Sequence, residues 1–161
     1  MKHPTTVDRQ SDLELVVTRT FDAPPHLVFE AWTRPELFQR WWTPKSFGIT
    51  FVSCEADVRT GGTYRLVFSH PDFEQPMAFF GRYLEVTPPS RIVWTNEEGA
   101  EGPVTTVTFE AKGETTVLVL RERYPSKQAL DEAIASGSTG TAGASEQFVE
   151  LDGVLATLVG A

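Results

Sequence analysis

Two groupings of side chains in this sequence have the types and spacing for acid–base chemistry. Glu55, Asp57 and Arg59 alternate along one predicted strand, and Tyr83 and Glu85 alternate along another. General acid–base catalysis needs such titratable groups held side by side. The same spacing also builds a solvated outer face with cross-strand charge pairs. Strand charges usually face water, so the solvated face is the preferred reading. Three histidines occur: His3 near the N-terminus, His26 on a predicted helix and His70 at a strand end beside Pro71. No grouping of His, Cys, Asp and Glu has zinc-ligand spacing, so no metal site is expected. Nucleophile motifs, phosphate loops and dinucleotide fingerprints are also missing, and no cofactor is expected. Gly61-Gly62 follows Asp57-Val58-Arg59-Thr60 as a hairpin turn, where Asp57 is placed to bond the turn's amides.

The rings point elsewhere. Trp32, Trp41, Trp42, Phe47, Tyr64, Phe68, Phe79, Phe80, Trp94, Phe109 and Phe148 are numerous enough to wall an apolar chamber. Any single ring is more often plain core. As a set, with a few polar groups among them, they match the lining of a small-molecule pocket. The expected ligand-binding residues are Trp42, Tyr64, Phe80, Trp94 and Phe148 as walls, with Arg59 or Gln147 as the orienting polar group. If the same chamber is catalytic, Glu55, Glu85, His70 and Tyr64 are the candidates for its titratable group.

These residues must be positioned by a sheet and a long helix. From about Thr139 to Val159 the pattern predicts a helix whose stripe is Phe148, Leu151, Leu155 and Leu158, with Val154 beside it. Its first turns hold Gly140, Ala142, Gly143, Ala144 and Ser145, all small. Either the helix is thin there and leaves a void, or a strand packs close, or the helix starts late, near Ser145. Leu13–Phe21 alternates like a strand, and Asp22-Ala23-Pro24-Pro25 ends it. A short helix follows with Leu27, Val28, Ala31 and Trp32 on one face. A second begins at Thr33-Arg34-Pro35-Glu36, which has capping-box spacing. Strands are predicted near 48–58, 63–70, 77–86, 91–96, 104–111 and 115–123, and residues 125–138 as a loop with one helical turn. The expected fold class is α+β: about seven antiparallel strands curved around a long C-terminal helix, which alone is long enough to cover the sheet's apolar face.

Bulk properties limit the function. With 161 residues the chain fits one domain, taken as 12–161, after a polar segment 1–11 expected to fray. A net charge of -8 argues against nucleic acid and against anionic membrane surfaces, since both need basic patches. No apolar run has membrane-spanning length, and the first residues lack a signal peptide's hydrophobic core. A single cysteine, Cys54, has no internal disulfide partner, and a reducing cytoplasm fits it.

Several segments together resemble a known family. They are Arg19-Thr20-Phe21-Asp22-Ala23-Pro24, Val28-Phe29-Glu30-Ala31-Trp32, Trp41-Trp42-Thr43-Pro44, Asp57–Tyr64, Gly81–Val86 and Pro89–Thr95. In this order they are similar to the domain family named after the activator of heat-shock protein 90 ATPase, within the START-like group. The resemblance implies a helix-grip fold with a deep pocket between helix and sheet. It leaves the reaction open, because one fold hosts many functions. It also implies that pairing into a homodimer is open to this chain. Two departures matter. Only a decapeptide precedes the domain where the chaperone activators carry a chaperone-binding module, which argues against ATPase activation. Gly143 is followed by Ala144-Ser145 where many relatives have tryptophan, which implies a wider pocket mouth. The expected order of functions is a binding protein for a hydrophobic or aromatic small molecule, then a cofactor-free cyclase- or hydrolase-like enzyme, then a chaperone partner.

Overall fold

The structure is a computed structural model and describes residues 3–43, 45–97, 102–136 and 143–160. In chain order the elements are β1 (Thr6–Arg9), β2 (Glu14–Phe21), α1 (Pro25–Thr33), α2 (Pro35–Phe38), β3 (Thr50–Ala56), β4 (Thr63–Ser69), β5 (Met77–Thr87), β6 (Arg91–Thr95), β7 (Val104–Lys112), β8 (Thr115–Arg123), α3 (Lys127–Ser136) and α4 (Ala144–Val159). The strands form one sheet in the order β1-β2-β8-β7-β6-β5-β4-β3, with every neighbouring pair antiparallel. This is the expected α+β helix-grip architecture with one strand more.

The long strand β5 makes the sheet turn. Its residues 77–82 pair with β4, whereas Tyr83 to Thr87 pair with β6, with a register shift between Tyr83 and Glu85. An extra residue on one strand bends it and increases its twist. Gly81 lies at the changeover, and a Cβ there would sit 2.0 Å from the Thr95 carbonyl oxygen. Its cross-strand partner Tyr64 uses the free space, and the Tyr64 hydroxyl donates to that same carbonyl at 2.6 Å.

Period-two burial sets the inward face. Thr116, Leu118, Leu120 and Glu122 of β8 and Thr105, Val107 and Phe109 of β7 point inward, separated by more exposed residues. The helix α4 covers this half of the sheet. Its buried Phe148, Leu151, Val154 and Leu155 join Val17, Phe21, Val107, Phe109, Leu118 and Leu120 in one core. Phe148 meets Phe21 edge to face at 5.3 Å. The helix is also pinned by charge. Arg19, buried on β2, donates two hydrogen bonds of 2.6 Å to the Asp152 carboxylate, and its guanidinium lies 4.7 Å from the Phe21 ring centre. The short helices are joined by the Trp41 indole N–H, which donates to the Ala31 carbonyl at 2.9 Å.

Four local expectations are corrected. Thr6–Arg9 is not frayed: it pairs with β2, and Arg9 bonds Asp131 of α3 at 2.7 Å, while Arg19 donates to the His3 carbonyl. All four residues are exposed, so hydrophobic periodicity gave no signal for a strand held by its backbone. The capping box does not form. Arg34 is extended between the helices, Glu36 pairs with Arg34 at 2.7 Å, and the Thr33 hydroxyl turns back to the Phe29 carbonyl. Residues 127–136 make a full helix, with Ala129 and Leu130 buried against Leu15 and Tyr124. Finally, α4 begins at Ala144, the late start; Thr139–Ala142 lie outside the described residues.

The Arg19–Asp152 pair is asymmetric, because Arg19 is buried and Asp152 partly exposed. Asp152→Ala leaves a buried guanidinium without its carboxylate, so a loss of about 3 kcal/mol is expected, or roughly 6–12 °C in Tm. Thermal and urea melts check it. Gly153, one residue on, is a helical glycine facing open space. Gly153→Ala should raise stability by about 0.5–1 kcal/mol in the same melts.

Candidate functional site

The β3–β4 end of the sheet lies outside the core that α4 covers. Between it and the helices lies a cavity of about 870 Å³. Its walls come from Trp32 and Phe38 of the short helices, Trp42 after them, Tyr64, Leu66 and Phe68 of β4, Met77, Phe79 and Tyr83 of β5 and Trp94 of β6. The rings brace one another. Phe38 stacks on Trp42 at 4.7 Å, Tyr64 and Tyr83 are 5.6 Å apart, Phe68 and Phe79 5.4 Å, and Trp32 and Trp94 5.9 Å. The buried Trp32 indole N–H has no acceptor among the described residues.

At the mouth, α4 is tied to the segment after α2. Gln147 donates from Nε2 to the Trp42 carbonyl at 2.6 Å, the Lys45 backbone N–H donates to Glu150 at 3.2 Å, and the Ser46 hydroxyl donates to Glu146. The ring of Phe47 occupies the room left by Gly143: a Cβ there would lie 2.8 Å from it. The mouth expected to be wide at Gly143 is therefore faced by an aromatic ring.

Of the residues expected from the sequence, Trp42, Tyr64, Trp94 and Gln147 border the cavity. Arg59, Phe80 and Phe148 do not. Arg59 sits in the β3–β4 hairpin and pairs with Asp57 at 2.8 Å, both side chains well exposed. Phe80 alternates with the inward Phe79, so it points to the outer face, 41% exposed. Phe148 lies under α4 against Phe21, one residue round the helix from Gln147. The catalytic candidates fare similarly. Glu55 is exposed, and Glu85 accepts from the Thr87 hydroxyl and pairs with Arg91. His70 accepts the Asp72 backbone N–H, outside the cavity wall. Tyr64 does reach the wall, with its hydroxyl donating to Thr95.

Among the wall residues not expected from the sequence, two are polar and face each other. Glu122, only 3% exposed, and Tyr124 enter the cavity from the end of β8 beside Glu132 and Ser136 of α3. The Tyr124 hydroxyl donates to Glu122 Oε1 at 3.3 Å. Burial, and then the charge of Glu122, push the Tyr124 phenol well above its ordinary range, so it stays a donor. The signal was present: in Thr116, Leu118, Leu120, Glu122, Tyr124 a carboxylate falls on the inward parity of a strand. Ladder registry extends it. Tyr83 pairs with Trp94, Trp94 with Thr105 and Thr105 with Glu122, one row across four strands on the same face. Tyr83 is likewise pushed up, chiefly by burial and then by Cys54 and Asp57. Among the described residues no three His, Cys, Asp or Glu side chains gather as metal ligands, and no helix is long and apolar enough to cross a membrane.

The sequence profile of the family described as Activator of Hsp90 ATPase homolog 1-like protein matches residues 22–156. The chain belongs to that family. Solved structures carry the same fold as this Hsp90-ATPase-activator-like chain. A Rhodobacter sphaeroides protein, 24% identical, superposes with a TM-score of 0.84 over 96% of this chain and 99% of its own. The protein Ms6760 from Mycobacterium smegmatis, also 24% identical, gives 0.79 over 96% and 99%. An AHSA1-like protein from Aeromonas hydrophila, 18% identical, gives 0.61 over 86% and 94%. At these identities the likeness shows the fold alone. No functionally curated protein matches the sequence.

Cys54 of β3 offers a test of the cavity's accessibility. It borders the cavity, and burial pushes its thiol above the ordinary range. Less thiolate is present at a given pH, so its reaction with an aromatic disulfide should be slow at neutral pH and should accelerate only at a higher pH than for a free thiol. Stopped-flow absorbance across pH checks this, and a cavity ligand should slow the reaction further.

Proposed function

We propose that this chain binds a hydrophobic or aromatic small molecule in the cavity between the sheet and the helices. The single observation that supports this most is the cavity itself: about 870 Å³, walled mainly by apolar and aromatic side chains. Small-molecule sites typically occupy about 300–1,000 Å³ with a few polar groups fixing orientation. The mutual ring contacts hold the walls in place before a ligand arrives, which lowers the ordering cost of binding. Burial of the ligand's apolar surface supplies affinity at about 25 cal/mol per Å². A second reading, a cofactor-free catalyst in the same cavity, draws on Glu122 beside Tyr124. Activation of a chaperone ATPase, the activity in the family's name, gives the cavity no part to play and ranks behind both.

Trp32, Trp42 and Trp94 border the cavity, so intrinsic fluorescence reports on its contents. A panel of sterols, flavonoids and polyketides should contain compounds that quench it saturably, one per chain, and raise Tm. Ala56→Phe, which places a ring in the cavity, should abolish that response while the protein still melts cooperatively. Saturable binding that survives Ala56→Phe would place the ligand elsewhere. Mass spectrometry of recovered ligand separates the readings: unchanged ligand marks a binder, converted ligand a catalyst.

A further inference from the structure

The polar end of the cavity is acidic. Among the described residues that border it there is no Lys, Arg or His, whereas Glu122 and Glu132 both do so. Glu122 is the more telling of the two, since β8 holds it at an inward-facing position where Leu118 and Leu120 precede it. Burying a carboxylate is expensive unless it is paired and hydrogen-bonded. The Tyr124 hydroxyl supplies one bond, at 3.3 Å, and it is not the only interaction that Glu122 makes. A carboxylate has about four acceptor sites, so it can take a ligand's N–H groups beside its protein partners.

We propose that the ligand carries a protonated amine, received by Glu122 and Tyr124, with its apolar body lying along the ring wall. The proposal rests on the ligand-binding reading above and names the class of ligand. The ladder gives the dimensions. Trp94 is two strands from Glu122 and Tyr83 three strands, so rings begin roughly 10 Å from the carboxylate and continue to roughly 14 Å. An amine on an elongated aromatic body meets both ends. A carboxylate or phosphate ligand would instead meet Glu122 and Glu132 with no cation among the described lining residues to offset them, and the net charge of -8 repels it at long range. Of the two anchors expected from the sequence, Arg59, which would have favoured acids, lies outside the cavity, and the neutral Gln147 borders it.

Three probes with one body decide it: naphthylbutylamine, naphthylbutanol and naphthylbutanoate, titrated into the full chain at neutral pH by calorimetry. The amine should bind about tenfold or more tighter than the alcohol, as a charge-assisted hydrogen bond allows, and the acid should bind weakest. Glu122→Gln should bring the amine to the level of the alcohol. Alcohol or acid binding as tightly as the amine would overturn the proposal and leave the hydrophobic site standing. A Glu122→Gln protein that melts normally and keeps the amine's advantage would overturn it too. If none of the three binds while a compound of the panel above does, this proposal falls and the ligand-binding reading stands; if nothing binds in either experiment, both fall. The wild-type ranking is decisive without any variant, should Glu122→Gln fold poorly.

Discussion

The bidentate bond between Arg19 and Asp152 commits α4 to one half of the sheet. A buried guanidinium holds a helical carboxylate from below, and the stripe of Phe148, Leu151, Val154 and Leu155 then has a fixed address against β2, β7 and β8. The helix cannot slide toward β4 without stripping that charge of its partner. The inner face of β4 falls in a separate cluster of Tyr64, Leu66 and Phe68, and the short helices meet that side through Phe38 and Trp32, leaving space between. The small end of α4 meets the cavity: Gly143, its N-cap, and Gln147 of its first turn both border it.

Much of this was legible beforehand, and the failures share one cause. The strands from β4 to β8 were readable within a residue or so because turn residues bracket them and side chains alternate. The fold class followed from their order. What composition could not supply was parity. Phe79 and Phe80 are adjacent rings of like size, yet one lines the cavity and the other faces water. Gln147 and Phe148 differ by one step round a helix, and that step separates the cavity from the core. Arg59 carries an anchor's charge, but the hairpin holds it away from the wall. Glu122 shares the inward parity of Leu118 and Leu120, so on facing rather than charge it is the residue that meets the cavity.

β1 was illegible for a different reason. Its ladder with β2 is a backbone one, and Thr6, Val7, Asp8 and Arg9 are all exposed. α3 was underestimated because only Ala129 and Leu130 of its residues are buried, too few to show a period. The ion pair between Arg9 and Asp131 ties the two elements together, and α3 is seated by the small cluster of Leu15, Tyr124 and Leu130. That cluster also places Tyr124, so a peripheral patch with little apolar surface ends up seating one of the cavity's polar groups.

The two flanks of the sheet bear on how copies of the chain meet. One flank is β1, four residues long and carrying Asp8 and Arg9; the other is β3, whose ladder is interrupted between Phe51 and Ser53. Short, charged or irregular border strands are poor templates for another chain's backbone. Strand-by-strand accretion is thereby discouraged at both ends of the sheet.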